Sequence, residues 1–232
     1  MKIKQLTFKK FTGRSGKIKQ HKPKTTLFFS DLIQGRVYLG ADKSLWDPKI
    51  SSYLLGIRNG FCIFKLKETL AYLRRAIKII AKINHSKKQI IFIGSPLFEK
   101  YSLIKLFIST NHFYTSNKFW INGILTNGKH FNTYMNNFFE VLKIKKKSDK
   151  LFFFRRFGGI SALKKIPDLV VIYNHSESLE ALKEASKMGI CIVSFVNSDA
   201  NPEQSDYPIP GNFTSKPAGK LYYKILQRAL TR

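Results

Sequence analysis

Two short segments of the chain place a tryptophan among cations and asparagines. In residues 43–59 the candidate residues are Lys43, Trp46, Lys49, Arg58 and Asn59. In residues 117–129, NKFWINGILTNGK, they are Lys118, Trp120, Asn127 and Lys129. A cation beside an aromatic plane suits RNA, because the cation pairs with phosphate and an unpaired base stacks on the ring. For the first segment an alternative stays open, in which Trp46 belongs to the core and the charges around it are merely solvated.

Two further stretches carry dense positive charge. Residues 1–25 contain nine Lys or Arg and no acid, which predicts a basic arm that contacts RNA through residues such as Lys9, Lys10 and Arg14. A cleaved mitochondrial presequence is the alternative, although such segments are typically rich in Arg and Ser. The second stretch runs from Lys143 to Arg156, and we expect Arg155 and Arg156 to contact RNA as well.

The composition favours a polyanionic partner. The 232 residues include 41 Lys and Arg against 14 Asp and Glu, which gives a formal net charge of +27 and a pI near 10.1. A chain of this size with such a charge requires nucleic acid or a very acidic membrane as its partner. No apolar run approaches the roughly 20 residues that span a bilayer. We therefore expect RNA, no membrane and no small-molecule substrate.

No pattern indicates a catalytic, metal or cofactor site. The five histidines are scattered without metal-ligand spacing, and Cys62 and Cys191 lie alone in apolar runs, as inert thiols do. The segment from Gly123 to Lys129 resembles a phosphate-binding P-loop, but His130 stands where Ser or Thr would hold magnesium. Three acids in the last loop, Asp199, Glu203 and Asp206, could form a carboxylate cluster, although we expect them to brace the loop.

The elements that position these residues are clearest in residues 166–212. An apolar run from Leu169 to Tyr173 predicts a buried parallel strand. A helix should follow, capped by Asn174 with Glu177 as its capping-box partner, and Gly189 should end it. The second strand is predicted from Ile190 to Val196, and a proline-rich loop follows it. Two strands joined through a helix in this way are parallel, with a right-handed crossover.

The remainder of the chain also alternates between strand and helix patterns. Residues 61–64 and 89–93 predict short strands, residues 66–83 predict an amphipathic helix, and residues 96–109 predict another helix. The tail from Ala218 to Leu230 predicts a final basic helix. This alternation predicts an α/β fold with an open, mostly parallel sheet and flanking helices.

Four motifs, in order, resemble the universal small-subunit ribosomal protein S2 family. They are the Gly35–Gly40 segment with Trp46-Asp47-Pro48-Lys49, the turn Gly56-Ile57-Arg58-Asn59, the segment Asn117–Asn127, and the close EASKMGI through DYPIPGN. The chain departs from the family pattern at Tyr38, where His is common, at Phe119, where Arg is usual, and at Asn122, where Gly is usual. The resemblance covers roughly residues 27–213.

The resemblance implies a flavodoxin-like or Rossmann-like α/β domain formed by residues 26–127 and 165–232, with a protruding helical hairpin inserted at residues 128–164. It implies a structural, non-enzymatic component of the small ribosomal subunit. Its expected partners are small-subunit ribosomal RNA and other ribosomal proteins, with messenger RNA nearby. The alternative is an RNA-modifying or nucleotide-binding enzyme on the same doubly wound sheet. A composition typical of A+T-rich genomes favours a mitochondrial ribosome over a plastid or bacterial one.

Overall fold

Two β-sheets form the framework of the computed structural model, which describes residues 29–94, 100–144, 157–161, 163 and 165–231. In chain order the helices and strands are α1 (Phe29–Gln34), β1 (Leu39–Asp42), β2 (Leu54–Arg58), β3 (Phe61–Phe64), α2 (Leu66–His85), β4 (Ile90–Ile93), α3 (Lys100–Ser109), β5 (Phe113–Thr115), α4 (Gly128–Ile144), β6 (Leu169–Ile172), α5 (Leu179–Lys187), β7 (Cys191–Val196), β8 (Tyr207–Pro210) and α6 (Lys216–Leu230). Short 3-10 turns lie between several of these elements.

The larger sheet has five parallel strands in the order β5-β4-β6-β7-β8. Its central strands β4 and β6 are completely buried, as their continuous apolar sequences predict. Successive side chains point to opposite faces, so Phe92 and Val171 belong to one core, whereas Ile91 and Val170 belong to the other. Helices α2, α3 and α6 cover the first face, and α4 and α5 cover the second. The predicted parallel α/β fold is confirmed.

Helix α2 buries the stripe that its spacing predicts. Leu66, Leu73 and Ile80 are buried, and Leu70 and Ile77 are partly buried against the same core. The cations of the other faces, Lys67, Arg74, Arg75, Lys78 and Lys82, are exposed. The apolar stripe therefore fixes the helix on the sheet, while a basic surface faces outward.

The smaller sheet is antiparallel, with strand order β1-β3-β2, and the sequence did not predict it. The strand expected at residues 61–64 exists as β3, but it pairs with β1 and β2 rather than joining the parallel sheet. One side of this small sheet packs on the larger one, because Leu54, Cys62 and Phe64 share a cluster with Val196 and Ala200. The position of the small sheet relative to the large one is therefore set by apolar contacts.

Two local predictions for residues 174–210 are wrong. Asn174 and Glu177 do not form a capping box, because residues 176–178 form a 3-10 turn and α5 begins only at Leu179. Asn174 instead accepts a hydrogen bond from the Ser176 hydroxyl at 3.1 Å. The proline-rich loop also contains a fifth parallel strand, β8, with the sequence Tyr-Pro-Ile-Pro. The predicted stop at Gly189 is confirmed, since this residue has a φ of +64° directly after the helix.

Parts of the predicted domain plan lie outside the described residues. The basic arm at residues 1–25 does, and so do residues 145–156 of the predicted hairpin. Helix α4 lies within the range predicted for the hairpin. The division into an arm, a domain and an inserted hairpin stays a prediction. Among the described helices, none combines the length and the apolar character needed to cross a bilayer.

Candidate nucleic-acid interface

The hairpin between β2 and β3 collects three of the predicted RNA-binding residues. Asn59 and Gly60 form its turn with φ values of +49° and +81°, the combination that a tight two-residue hairpin requires and that Asn-Gly sequences favour. Arg58 ends β2 directly before the turn. The backbone N–H of Lys43 donates to the carbonyl of Gly60 at 2.8 Å, which holds Lys43 beside the turn. Lys43, Arg58 and Asn59 are all exposed.

Trp46 is tied to the same turn and remains accessible. Its backbone N–H donates to the carbonyl of Lys43 at 3.4 Å, at the end of the 3-10 turn formed by residues 43–45. Asp42 caps that turn by accepting from the Ser44 N–H at 2.9 Å, and this bond lowers the pKa of the Asp42 carboxyl. The Trp46 side chain is 39% exposed. The alternative in which Trp46 is a core residue is therefore wrong.

Phe61 adds a second aromatic ring that the sequence analysis did not select. It is the directly opposite partner of Arg58 on β2 and of Asp42 on β1, so its ring lies on the same face of the sheet as these two side chains. It is 43% exposed, whereas its neighbour Cys62 is fully buried. Strand alternation puts Phe61 and Cys62 on opposite faces, but the apolar sequence Phe-Cys-Ile-Phe does not indicate which of them points outward.

Lys49 differs from the other predicted cations because a carboxylate already pairs with it. Its ammonium group lies 2.6 Å from Oε2 of Glu203, and this hydrogen bond raises the pKa of Lys49. Asp47 accepts from the Lys49 N–H at 2.9 Å, and the Asp47 N–H donates to the carbonyl of Ser198 at 2.9 Å. These contacts join the segment before β2 to the loop after β7. Lys49 therefore helps to position the surface that contains Trp46.

The second predicted segment, residues 117–129, is organised by Glu184 of α5. This buried carboxylate accepts from the indole N–H of Trp120 at 3.3 Å, from the Gly123 N–H at 2.6 Å and from the Leu125 N–H at 3.1 Å. Trp120 is consequently half-buried and its polar atom is occupied. Glu184 is not among the residues that the sequence predicts to be functional. Its signals in the sequence are its place at the start of the EASKMGI motif and its position on the inward face of an amphipathic helix, beside Ala181 and Ala185.

The same contacts explain why the P-loop-like segment is not a phosphate loop of that kind. A P-loop offers free backbone N–H groups to phosphate and follows directly from a buried strand. Here β5 ends at Thr115, eight residues before Gly123. The N–H groups of Gly123 and Leu125 are already bonded to the Glu184 carboxylate. The geometry therefore agrees with the prediction that this segment is not a nucleotide-binding P-loop.

The polar end of this segment is nonetheless accessible. Lys118, Asn127 and Lys129 are exposed, and Lys129 lies in the first turn of α4. A concave cavity of about 560 Å³ adjoins this turn, and its charged and titratable lining residues are Lys129, His130 and Lys165. The amino end of a helix carries partial positive charge, and the first turn of α4 holds no acid. This end of the helix is therefore favourable for an anion.

The acids of the last loop brace it, as predicted. Asp206 accepts from the Ile192 N–H at 2.8 Å, Asp199 accepts from the Ser176 hydroxyl at 3.1 Å, and Glu203 pairs with Lys49. Below the loop, buried His175 contacts Ser194 at 3.3 Å and Gln204 at 3.0 Å, and its burial lowers its pKa. In the part of the chain that the structure describes, no group of three or more metal-ligand side chains occurs. Burial raises the pKa of the Cys191 thiol to about 11, in keeping with an inert cysteine.

The structure thus brings together Lys43, Trp46, Arg58 and Asn59 at one end of the antiparallel sheet, and it holds Lys118, Trp120, Asn127 and Lys129 in a separate segment. Five predicted RNA contacts lie outside the described residues: Lys9, Lys10, Arg14, Arg155 and Arg156. With Lys49, the predicted RNA contacts number 14, and all of them stay predictions.

Comparison with known proteins identifies the family. A family model described as Ribosomal protein S2 matches residues 32–232. The small ribosomal subunit protein uS2 of Treponema pallidum is 28% identical over 217 residues, which are 86% of this chain and 74% of the relative. The uS2 proteins of Brucella anthropi and Shewanella loihica are 28% and 26% identical over 214 and 222 residues, which are 85% and 88% of this chain and 82% and 90% of the relatives. Because the family model extends over almost all of the sequence, this chain belongs to the ribosomal protein S2 family.

Proposed function

We propose that the chain acts as a scaffold in the small ribosomal subunit and that it holds ribosomal RNA mainly at the exposed end of its antiparallel sheet. The first part follows from the family, whose members are structural and non-enzymatic components of the small subunit. Ribosomal RNA and other ribosomal proteins are general partners of this family. The second part names the surface, and we define the RNA surface as Lys43, Trp46, Arg58, Asn59 and Phe61.

One observation carries this assignment: the hairpin turn gathers two unpaired cations, an asparagine and two exposed aromatic rings. Lys43 and Arg58 form no ion pair among the described residues, so their charges are available to phosphate. Trp46 and Phe61 offer planes on which an unpaired base can stack. The turn residue Asn59 presents both a donor and an acceptor to a base edge or a sugar.

The amino end of α4 supplies a second contact of simpler chemistry. Lys118, Asn127 and Lys129 are exposed there, and a phosphate at the helix end would relieve the repulsion between Lys129 and the positive end of the helix. Trp120 acts here as an anchor of the segment through Glu184 rather than as a stacking plane. Lys9, Lys10, Arg14, Arg155 and Arg156 would extend the contact from outside the described residues.

The physical mechanism is neutralisation of phosphate without chemistry. Each Lys or Arg that replaces a condensed counterion makes the free energy of binding more favourable, because the counterion is released to bulk solution. This contribution becomes smaller as salt is added. The net charge of +27 makes the effect large. Contacts to phosphate fix the position of the domain on the RNA, and the rigid parallel sheet then holds neighbouring proteins in register.

We propose further that the ribosome is mitochondrial and that messenger RNA passes nearby. Support for the organelle comes from the composition typical of A+T-rich genomes, while the relatives named above are bacterial. Sedimentation of small subunits from purified mitochondria through increasing salt, at fixed magnesium, should retain this chain at stoichiometric occupancy. Its recovery only in free form, or only in a bacterial or plastid fraction, would contradict the mitochondrial assignment.

The RNA surface is tested by comparing two charge-matched double variants of the full chain. Lys43→Ala with Arg58→Ala removes two cations from the RNA surface, and Lys183→Ala with Lys187→Ala removes two exposed cations from α5. The affinity for small-subunit ribosomal RNA is measured at several salt concentrations. We expect the first variant to lower the slope of log affinity against log salt by about 0.7–0.9 for each lost phosphate contact, and the control to lower it far less.

Equal losses in both variants would mean that RNA responds only to overall charge, and they would overturn the assignment of the surface. Family membership would be unaffected by that outcome. Thermal unfolding of both variants should match the unmodified chain, because all four side chains are exposed.

A further inference from the structure

Strand β2 forms an open edge of the antiparallel sheet. It pairs with β3 on one side, and no described strand pairs with its other side. An open edge presents backbone N–H and C=O groups to any strand that can approach. Gly56 in the middle of β2 leaves the surface above it empty, because a side chain added there would meet nothing within 4 Å. The strand is therefore accessible both at its edge and from above.

The side chains of β2 are apolar and exposed. Leu55 is 70% exposed and Ile57 is 50% exposed. Each would gain free energy on burial, because removing apolar area from water is favourable by about 25 cal/mol per Å². Aliphatic side chains offer no plane for base stacking and no donor for phosphate. These two residues are consequently suited to a protein surface rather than to RNA.

Strand β8 shows how proline can block the pairing of a further strand at the edge of a sheet. Strand β8 lies at the edge of the large sheet, and its residues Pro208 and Pro210 lack the N–H groups that a further strand would use. Both prolines are also buried. Strand β2 has no proline, and only a bulge near Leu54 interrupts its regular pairing. Its edge is the less protected of the two.

Cations stand at both ends of β2. Arg58 is its last residue and is exposed. At the other end, the ammonium group of Lys65 donates to the carbonyl of Ser52 at 2.9 Å, and the Lys65 N–H donates to the carbonyl of Tyr53 at 2.9 Å. Because Arg58 belongs to the RNA surface, Lys65 is the cation that remains for a protein partner. A partner strand with an apolar centre and an acid at the Lys65 end would match β2 in both hydrophobicity and charge.

From these observations we propose that β2 binds an extended segment of another small-subunit protein, which adds a strand to the antiparallel sheet. The segment has apolar residues that cover Leu55 and Ile57 and an acidic residue that reaches Lys65. Backbone hydrogen bonds to the edge of β2 supply affinity, and the side chains supply specificity. This inference uses the place of the chain in the small subunit but does not depend on the RNA surface.

A photo-crosslinking amino acid in place of Leu55 tests the proposal in purified small subunits. The matched control carries the same amino acid in place of Leu45, which is 63% exposed and lies outside the strand. We expect the Leu55 probe to form an adduct with one polypeptide, at a segment that combines apolar and acidic residues, and the Leu45 probe to form none with that segment. An adduct with RNA, no adduct, or an adduct with a segment that lacks acids would overturn the proposal.

A second variant separates docking from RNA binding. Leu55→Thr together with Ile57→Thr keeps residues that favour strands and removes the apolar contact, and Leu45→Thr is its control. We expect the double variant to reduce the amount of the crosslinked polypeptide in purified subunits several-fold, while the RNA affinity of the isolated chain stays unchanged. Undiminished polypeptide would contradict docking at β2. A failed RNA surface would instead appear as unchanged RNA affinity in the variant of Lys43 and Arg58.

Discussion

Trp46 and Trp120 occupy opposite situations in the same molecule. Trp46 stands at the end of the antiparallel sheet and is 39% exposed, whereas Trp120 is more deeply buried and donates its indole N–H to Glu184 of α5. The cations near Trp46, Lys43 and Arg58, are exposed at the same end of the sheet. The cations near Trp120 lie at the edge of a segment in which the N–H groups of Gly123 and Leu125 are already bonded to Glu184. The difference is therefore one of supporting structure, since the two segments have similar residue types.

This contrast assigns separate tasks to the two regions. Burial and hydrogen bonding around Glu184 contribute to the stability of the parallel sheet, and exposure around Trp46 leaves groups that only a partner can satisfy. Substitutions near Trp120 should accordingly change the free energy of unfolding. Substitutions near Trp46 should change binding and leave unfolding almost untouched.

The largest expected effect is that of Glu184→Ala. It leaves the Trp120 indole N–H and two backbone N–H groups without their acceptor, so we expect the free energy of unfolding to fall by about 2–4 kcal/mol. Urea unfolding of the full chain measures this value. In a Trp46→Phe background, Trp120 is the remaining tryptophan, and its fluorescence should shift to longer wavelength as water reaches the ring.

Glu180→Ala is the matched control, because Glu180 lies on the same helix and is exposed beside Lys183. We expect its effect to stay within about 0.5 kcal/mol, as for other surface positions. Equal destabilisation by the two substitutions would show that Glu184 is not a special acceptor, and the contrast between the tryptophans would lose its physical basis.

A smaller effect, on affinity alone, is expected for Trp46→Ala. One stacked base contributes about 1–3 kcal/mol, so the affinity for small-subunit RNA should fall roughly 5- to 150-fold. Unfolding should change little because Trp46 is exposed. Leu45→Ala, at the neighbouring exposed position, should preserve the affinity. A loss of stability without a loss of affinity would place Trp46 with Trp120 as a structural residue.

The smallest expected effect is that of pH on the free energy of unfolding, through the buried residue His112. Burial lowers the pKa of His112 to about 4, and its Nε2 lies 3.1 Å from the Asn84 Oδ1. The unfolded chain binds a proton at this residue near pH 6.5, so between pH 6.5 and 4 it binds more protons than the folded chain. Stability is therefore complete above pH 6.5 and declines as the pH falls through this window.

His112→Gln removes this titration while keeping an N–H donor near Asn84. Between pH 7 and pH 5 the Tm of both proteins should fall. We expect the fall in the variant to be a few degrees smaller than in the unmodified chain, as measured by calorimetry. The exposed His85→Asn serves as the control and should follow the unmodified chain. Identical pH profiles for all three proteins would show that folding does not lower the pKa of His112.

The parallel sheet and its helices were predictable because their apolar runs and stripes are long and regular. Leu169 to Tyr173 and the stripe of α2 illustrate this, since burial on both faces or on one face leaves a clear pattern. Strand β8 was missed because two prolines in four residues are typical of a loop. They are compatible with a strand only at an edge, where one side of the backbone needs no N–H donor.

The two functional features that the sequence analysis missed depend on distant partners. Glu184 stands on the inward face of an amphipathic helix, and its acceptor role appears only when Gly123 and Leu125, about 60 residues earlier, fold onto it. Phe61 belongs to a run of four apolar residues, and its outward direction follows only when Cys62 and Phe64, on the opposite face of β3, pack against Val196 and Ala200. By contrast, the grouping of Lys43, Arg58 and Asn59 was predictable, because they lie within 17 positions of one another in the sequence.

The packing of α2 has a consequence for how the chain folds as it is synthesised. This early helix rests its stripe on β8 and α6, and its Asn84 side chain donates to the Leu230 carbonyl at 3.0 Å. These partners follow α2 by more than 100 residues, so they leave the ribosome well after it. Until they emerge, the stripe of α2 lacks much of its cover, and a nascent or truncated chain exposes an apolar surface that invites aggregation or a chaperone.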